Sequence, residues 1–162
     1  LNYFSGKLSR LHSFSTRLPD RRDYMYEIAK ELIARQSYAD HLGIELIECR
    51  EDWAQLKLPY KRFLGDERVN GGAIASLVDI TATCAFWSHK TVNKDSRGAT
   101  IGFNINFLKL VAKSDIFATG IVKRRGSNVC VGTVEVDSEL SDKVAIATVT
   151  YKLNSLPVTP SA

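Results

Sequence analysis

No apolar run in this sequence approaches the roughly 20 residues that a helix needs to cross a bilayer, so no membrane span is predicted. Cysteines are few, and Cys49, Cys84 and Cys130 lie far apart without a Cys-x-x-Cys pair. This spacing argues against a zinc site or a disulfide framework and favours buried thiols in a reducing compartment. The histidines are equally isolated from one another, so no metal site is predicted.

An excess of basic charge is missing from most of the chain. The net charge of +4 lies within residues 1–22, which hold five basic side chains and one acidic one. The other 140 residues hold 17 basic and 17 acidic side chains. A protein that binds nucleic acid is expected to carry its excess charge on the folded body. The balance therefore predicts that this chain has no nucleic-acid partner.

Three common catalytic or nucleotide-binding motifs are also missing. The sequence has no Gly-x-Ser-x-Gly elbow, no Walker loop and no Gly-x-Gly-x-x-Gly fingerprint. These absences argue against a serine hydrolase of the elbow type, a P-loop nucleotidase and a dinucleotide-binding enzyme.

The N-terminal segment differs in composition from the rest. Its first 19 residues contain no acidic side chain, four serines and three basic side chains, which is typical of a mitochondrial transit peptide. A disordered leader is the alternative. Residues 1–22 are therefore assigned to a leader, 23–155 to one domain and 156–162 to a loose tail. The expected location is mitochondrial if the leader is a targeting signal and cytoplasmic otherwise.

The apolar periodicity predicts an α+β domain. Residues 20–37 have the three- and four-residue spacing of a helix, with an apolar face made of Tyr24, Ile28 and Leu32 and with Ala29 and Ile33 as further candidates. Two strands follow over 41–52 and 53–61, then a long apolar helix over 70–88. Four further strands, separated by short polar turns, indicate an antiparallel meander; they are predicted over 99–110, 114–124, 128–140 and 143–153. A helix that is apolar all round must be buried on most sides, so we expect the sheet to roll around helix 70–88.

One carboxylate interrupts this apolar helix. The positions that share a face with Asp79 are Ala75, Ser76, Ala82 and Thr83, which are small and uncharged. One interpretation is a residue that faces solvent or bonds a core hydroxyl. The other is a functional carboxylate, because an unpaired charge in such surroundings is costly and proteins keep such costs at functional sites.

The beginning of the same helix suggests a second functional element. Asn70 is a typical N-cap, and Gly71 and Gly72 leave backbone N–H groups open to a negatively charged atom. Such a terminus can stabilise the oxyanion formed when a carbonyl is attacked, although a simple cap with a tight turn is the alternative. Gly71 and Asp79 are about 12 Å apart along a helix axis, so the site is expected to be shared between two subunits.

The stretch "VNGGAIASLVD" (69–79) resembles the signature of hotdog-fold acyl-CoA thioesterases of the phenylacetate-pathway and 4-hydroxybenzoyl-CoA type. The strands "GATIGFNINFLKLVAKSD", "VKRRGSNVCVGTVEV" and "KVAIATVTYKL" are similar to the family's later strands, so the likeness covers roughly residues 40–153. It implies a curved antiparallel sheet wrapped around a long central helix. It further implies an acyl-CoA substrate, no metal or organic cofactor, and a homodimer or a dimer of dimers with its site between subunits.

The resemblance also implies roles for individual residues. Asp79 would be the catalytic carboxylate, as general base or as nucleophile, and the Gly71 N–H would form the oxyanion hole. Thr100 would bond the water or the carboxylate. Asn70 stands where many members have His, and it keeps a donor but cannot titrate near neutrality. Leu64 stands near the place of an Asn or Gln in some members.

Contacts with the substrate and its coenzyme A group are implied for a second set of residues: Gly72, Thr83, Arg124, Arg125, Gly126 and Ser127. For the basic run 123–125 a solvated strand end is the alternative. Trp53, Trp87, Phe103 and Phe107 are predicted to belong to the core rather than to a ligand platform.

The leading hypothesis is an enzyme, a thioester hydrolase that converts a fatty or aryl acyl-CoA to free acid and coenzyme A. The first alternative is a non-catalytic module that binds acyl-CoA as a sensor or scaffold. The second is a hotdog hydratase or dehydratase, for which no Asp/His dyad is found at a suitable spacing.

Overall fold

The computed structural model describes residues 21–93 and 95–154. Except for Arg21 and Arg22, the predicted leader lies outside the described residues, as does the predicted tail. The elements in chain order are α1 (Arg21–Arg35), α2 (Ser37–Leu42), β1 (Glu45–Arg50), β2 (Trp53–Leu58), a 3-10 turn (Arg62–Leu64), α3 (Gly71–Trp87), β3 (Arg97–Phe107), β4 (Ile116–Arg125), β5 (Val129–Ser138) and β6 (Lys143–Asn154).

The six strands form one antiparallel sheet in the order β1-β2-β4-β5-β6-β3, and α3 contacts every strand. Twelve of the 17 residues of α3 are buried, as its all-round apolar surface predicts. The helix lies very close to β4, because a Cβ placed on Gly120 would be 3.2 Å from the carbonyl oxygen of Thr81. The predicted α+β hotdog architecture is confirmed.

The prediction of a simple four-strand meander is wrong for β3. This strand pairs with β6 at the edge of the sheet, while β4 lies between β2 and β5. The backbone N–H groups of Leu108 and Lys109 both donate to the carbonyl oxygen of Val144, at 2.8 and 3.3 Å. They fix the chain against β6 as it leaves β3, and the connection then leads past β6 and β5 to β4.

Two local predictions near the N-terminal end also need correction. The buried side of α1 carries Met25, Ala29 and Ile33, so Ala29 and Ile33 are confirmed as part of the apolar face, whereas Tyr24 is exposed. The first strand is predicted to begin at residue 41, but residues 41 and 42 belong to α2 and the strand begins at Glu45. The helix α2 ends at Gly43, which has the left-handed conformation with φ 75°. Glycine favours this helix-ending conformation because it has no Cβ.

The two edges of the sheet differ in length and charge. β1 is six residues long, carries Glu45, Glu48 and Arg50, and contacts α1. β3 is 11 residues long, and its only charged residue is Arg97 at one end. Charges and short length protect an edge strand from pairing with another chain. The β1 edge is therefore protected, whereas the β3 edge is suited to pairing.

Candidate active site

Hydrogen bonds on both sides of Asn70 fix the beginning of α3. Its side-chain Oδ1 accepts from the N–H of Gly72 at 2.7 Å, so Asn70 is the N-cap that the sequence predicts. The backbone N–H of Asn70 donates to the carbonyl oxygen of Leu64 at 2.7 Å. The N–H of Val69 donates to the carbonyl oxygen of Val111 at 2.9 Å. Leu64 is buried, so it contributes its backbone here and not a side chain facing the site.

Two donors remain at this helix terminus. The N–H of Gly71 precedes the first intrahelical bond and has no acceptor among the described residues. Because the Asn70 oxygen is used by the cap, its side-chain Nδ2 is the group left to donate outward. Gly71 and Asn70 therefore present a pair of donors to any oxygen atom that approaches the helix end.

Asp79 lies two turns further along α3 and is half-buried. Its Oδ1 accepts a hydrogen bond of 2.6 Å from the Thr100 hydroxyl of β3. Within the described residues no Lys, Arg or His forms an ion pair with Asp79. A register shift in the β3–β6 pairing between Thr100 and Gly102 follows directly. Such bulges re-aim a side chain, and here Thr100 points at the carboxylate.

Thr83 lies one turn beyond Asp79 and faces the interior, with 9% of its surface exposed. The hydroxyl of Tyr151 on β6 accepts a 2.8 Å hydrogen bond from the indole N–H of Trp87 on the same helix. Burial raises the pKa of Tyr151, and the negative charge of Asp79 adds to that effect. The phenol therefore stays neutral, and its hydrogen bond with Trp87 connects β6 to the C-terminal end of α3. The predicted substrate contact of Thr83 stays a prediction.

The predicted coenzyme A residues form the hairpin between β4 and β5. Arg125 is mostly buried: its guanidinium forms an ion pair with Asp52 and donates to the carbonyl oxygen of Phe86 at 3.0 Å. It joins the hairpin to the β1–β2 turn and to the end of α3. Arg124 is exposed and has no carboxylate partner in the described part of the chain. With Gly126 and Ser127 it lines an open depression of about 270 Å³.

Within one chain these groups do not form a single site. The structure brings Thr100 to Asp79, and it brings Asn70 together with Gly71 and Gly72. Gly71 lies about 12 Å from Asp79 along the helix axis, and Phe86, which contacts Arg125, lies about 10 Å from Asp79 in the other direction.

Two aromatic side chains beside the site, Phe107 and Tyr38, are not among the site residues predicted from the sequence. The prediction that Phe103 and Phe107 belong to the core is wrong: they are 42% and 53% exposed, because an edge strand leaves part of its helix-facing side uncovered. The Phe107 ring lies against Gly71: a Cβ there would be 3.3 Å from its Cζ. On α2 the Tyr38 hydroxyl shares a 2.8 Å hydrogen bond with the Ser76 hydroxyl. No local pattern pointed to either contact.

Comparison with known proteins identifies the family. The thioesterase superfamily matches residues 67–145. The medium/long-chain acyl-CoA thioesterase YigI of Escherichia coli is 30% identical, and the match covers 68% of this chain and 81% of YigI. This chain belongs to the thioesterase superfamily. As a member it is a thioester hydrolase, as the sequence predicts.

Solved structures agree with the fold of this thioesterase. The Escherichia coli PaaI protein, from the phenylacetic acid degradation operon, matches with a TM-score of 0.72 at 21% identity over 81% of this chain and 94% of PaaI. A thioesterase family protein of Silicibacter pomeroyi matches with a TM-score of 0.74 at 19% identity, over 82% and 99% of the two chains.

Two further observations concern the described residues 21–93 and 95–154 of this thioesterase. In that part, no group of three or more His, Cys, Asp or Glu side chains is arranged to hold a metal ion. None of the helices there is both long and apolar enough to cross a membrane.

Proposed function

We propose that this thioesterase hydrolyses medium- or long-chain acyl-CoA to a free acid and coenzyme A, with Asp79 as its catalytic carboxylate. The observation that carries the proposal is the 2.6 Å bond from Thr100, which orients a carboxylate that has no cationic partner among the described residues. The acyl-CoA class is supported by the substrate named for the relative YigI.

The geometry supports a hydrolysis in which Asp79 accepts a proton from water. The water oxygen attacks the thioester carbon, and the carbonyl oxygen becomes an oxyanion that Gly71 N–H and Asn70 Nδ2 stabilise. The C–S bond then breaks, and the coenzyme A sulfur leaves with the electron pair and takes up the proton that Asp79 accepted. A second route uses the same groups: Asp79 attacks the carbon, the C–S bond breaks as the coenzyme A thiolate leaves, and water then hydrolyses the resulting anhydride. Trapping a covalent adduct on Asp79 by mass spectrometry distinguishes the two routes.

A second protomer would bring the two separated parts of the site, the helix terminus at Gly71 and the carboxylate of Asp79, close together. We infer that two chains pair through the β3 edge, which is long, carries almost no charge and exposes Ile101, Phe103 and Phe107. Asp79 adjoins this edge through Thr100, so one chain's carboxylate lies close to the partner's helix terminus in such a pair. A homodimer, or a dimer of dimers built from it, is therefore proposed.

The native mass of this assembly would be an even multiple of the 18.0 kDa chain, and Phe103→Asp would shift the native mass toward 18.0 kDa.

The coenzyme A group is proposed to bind at the β4–β5 hairpin. Arg124 is exposed there and has no carboxylate partner among the described residues, and the depression that it lines includes Gly126 and Ser127. A guanidinium that has no carboxylate partner can form two parallel hydrogen bonds to phosphate oxygens. Arg125 is given a supporting role because its guanidinium is already engaged by Asp52 and Phe86. We therefore expect Arg124→Ala to raise KM for acyl-CoA while kcat changes little.

Asp79→Asn tests the catalytic proposal. It keeps the shape of the side chain and removes the charge, and general-base catalysis is worth about 100- to 10,000-fold in rate. Thiol release from octanoyl-CoA should fall by that order, while the matched surface variant Asp66→Asn should retain the wild-type rate. Equal rates in Asp79→Asn and wild type would remove Asp79 from the mechanism.

Two other results would replace the proposal with an alternative. Binding of acyl-CoA without turnover at any chain length would indicate the non-catalytic module. Hydration of an enoyl-CoA without thiol release would indicate the hydratase.

A further inference from the structure

The open surface of α3 forms a stripe centred on Asp79. Each helical residue advances about 100°, so Asp79 lies about 80° around the axis from Gly71, and Ser76 lies about 60° further in the same direction. Gly72 is exposed, and Gly71, Ala75, Ser76 and Asp79 are half-buried, whereas most of the remaining circumference is buried. The stripe therefore has a floor of small side chains with the carboxylate along its middle.

One side of this stripe is bounded by Phe107. This residue is paired with Ala145, which is buried, so both side chains lie on the face of the sheet that is turned toward α3. The tip of the ring reaches Gly71, where three ring carbons lie 3.3 to 3.8 Å from the position of a Cβ. Even one methyl group added at Gly71 would touch the ring, so little space remains between the ring and the helix terminus.

The opposite side is bounded by Tyr38. Its hydroxyl bonds Ser76, and the Ser76 hydroxyl donates to the carbonyl oxygen of Gly72 at 2.8 Å. This chain of two hydrogen bonds holds the phenol at the border of the stripe, although 57% of Tyr38 is exposed. Gly71 and Ser76 are about 140° apart on the helix, so the two aromatic side chains stand on opposite sides of the floor.

We propose that the stripe is the channel for the acyl chain and that its two borders, Phe107 and Tyr38, determine specificity. The channel admits a straight acyl chain and rejects branching next to the thioester carbonyl. The inference rests on the proposed function, which places the carbonyl oxygen at the N–H of Gly71 and takes the reacting carboxylate from the second protomer. The carbon next to that carbonyl then faces the Phe107 ring, and a methyl group on it meets the ring. The Tyr38 ring prevents the chain from turning away from Phe107 across the floor.

The test compares kcat/KM for thiol release from octanoyl-CoA and from its α-methyl derivative. One methyl group in an apolar pocket changes specificity by about 10- to 200-fold. Phe107→Ala should therefore reduce the straight-to-branched ratio by about tenfold or more, chiefly by accelerating the branched substrate. Phe107→Leu should reduce it less. Tyr38→Ala should also reduce the ratio, whereas Tyr38→Phe keeps the ring and should stay within about twofold of wild type.

Phe103→Ala is the matched control, because Phe103 lies on the same strand and face and is similarly exposed. Its ratio should stay within about twofold of wild type, even if its overall rate changes through assembly. An unchanged ratio in both Phe107 variants, or an equal fall in Phe103→Ala, would overturn the inference and leave the proposed function standing. A wild-type protein that releases no thiol from octanoyl-CoA would overturn both.

Discussion

Replacing Thr100 by valine removes the hydroxyl that holds Asp79 while keeping the size and branching of the side chain. The bond measures 2.6 Å, and no other side-chain donor to Asp79 is found in the described part of the chain. Valine also suits a strand, so β3 should form as before. The substitution therefore tests the orientation of the carboxylate rather than the fold.

The size of the effect follows from the charge on the acceptor. A hydrogen bond to a charged group contributes about 1.5 to 3 kcal/mol, and about 1.36 kcal/mol corresponds to a tenfold change in rate. If the full contribution is lost in the transition state, kcat/KM falls by about 10- to 150-fold. We expect the lower half of this range, because Asp79 is half-buried and water can replace part of the bond.

The assay is thiol release from octanoyl-CoA by wild type, Thr100→Val, Thr100→Ser, Asp79→Asn and the Asp79→Asn/Thr100→Val double variant. Serine restores the hydroxyl and should recover most of the activity. If Thr100 acts through Asp79, the double variant should be no slower than Asp79→Asn alone. A Thr100→Val rate within about twofold of wild type, or losses that simply add, would refute this reasoning.

Three further predictions concern stability and thiol chemistry. Arg125→Met leaves a partly buried carboxylate unpaired and should lower the free energy of unfolding by about 2 to 3 kcal/mol in denaturant titrations. Gly120→Ala places a Cβ 3.2 Å from a helix carbonyl and should cost about 1 to 3 kcal/mol by the same measurement. Burial raises the pKa of Cys49 to about 11, so this buried thiol should remain protonated near about pH 8 and react with thiol reagents only when the protein unfolds.

Each of these three has a matched control. Arg124→Met, on the exposed neighbour, should change stability by less than about 0.5 kcal/mol. Gly102→Ala should be similarly neutral, since nothing lies within 4 Å of its Cβ position. Addition of denaturant should expose all three cysteines to the reagent. Equal losses of stability in Arg125→Met and Arg124→Met would contradict the role of the ion pair. Equal losses in Gly120→Ala and Gly102→Ala would contradict the close packing at Gly120. Rapid reaction of Cys49 in the native protein would contradict its burial.

Much of the fold follows from local patterns in the sequence. The alternation of Ala54, Leu56 and Leu58 with more exposed residues identifies β2, and these three residues are buried as that alternation requires. The all-round apolar surface of α3 requires a sheet around it, and Asn70 before two glycines identifies where the helix begins. These signals are readable because the period of a helix or strand is set by its own backbone.

The helical period also marks Asp79 as exceptional, since the residues that share its face of the helix are small and uncharged. That inference needs only helical geometry. It does not reveal what the carboxylate contacts, because Thr100 is 21 residues away and a register shift sets its direction.

Tertiary structure alone decided the remaining features. β3 lies beside β6 rather than β4, and this edge position exposes Phe103 and Phe107 and brings the latter to Gly71. Arg125 meets Asp52 across 73 residues of sequence, so its cation is used inside the chain. Strand order and such pairings depend on which distant surfaces pack together, and no local period carries that information.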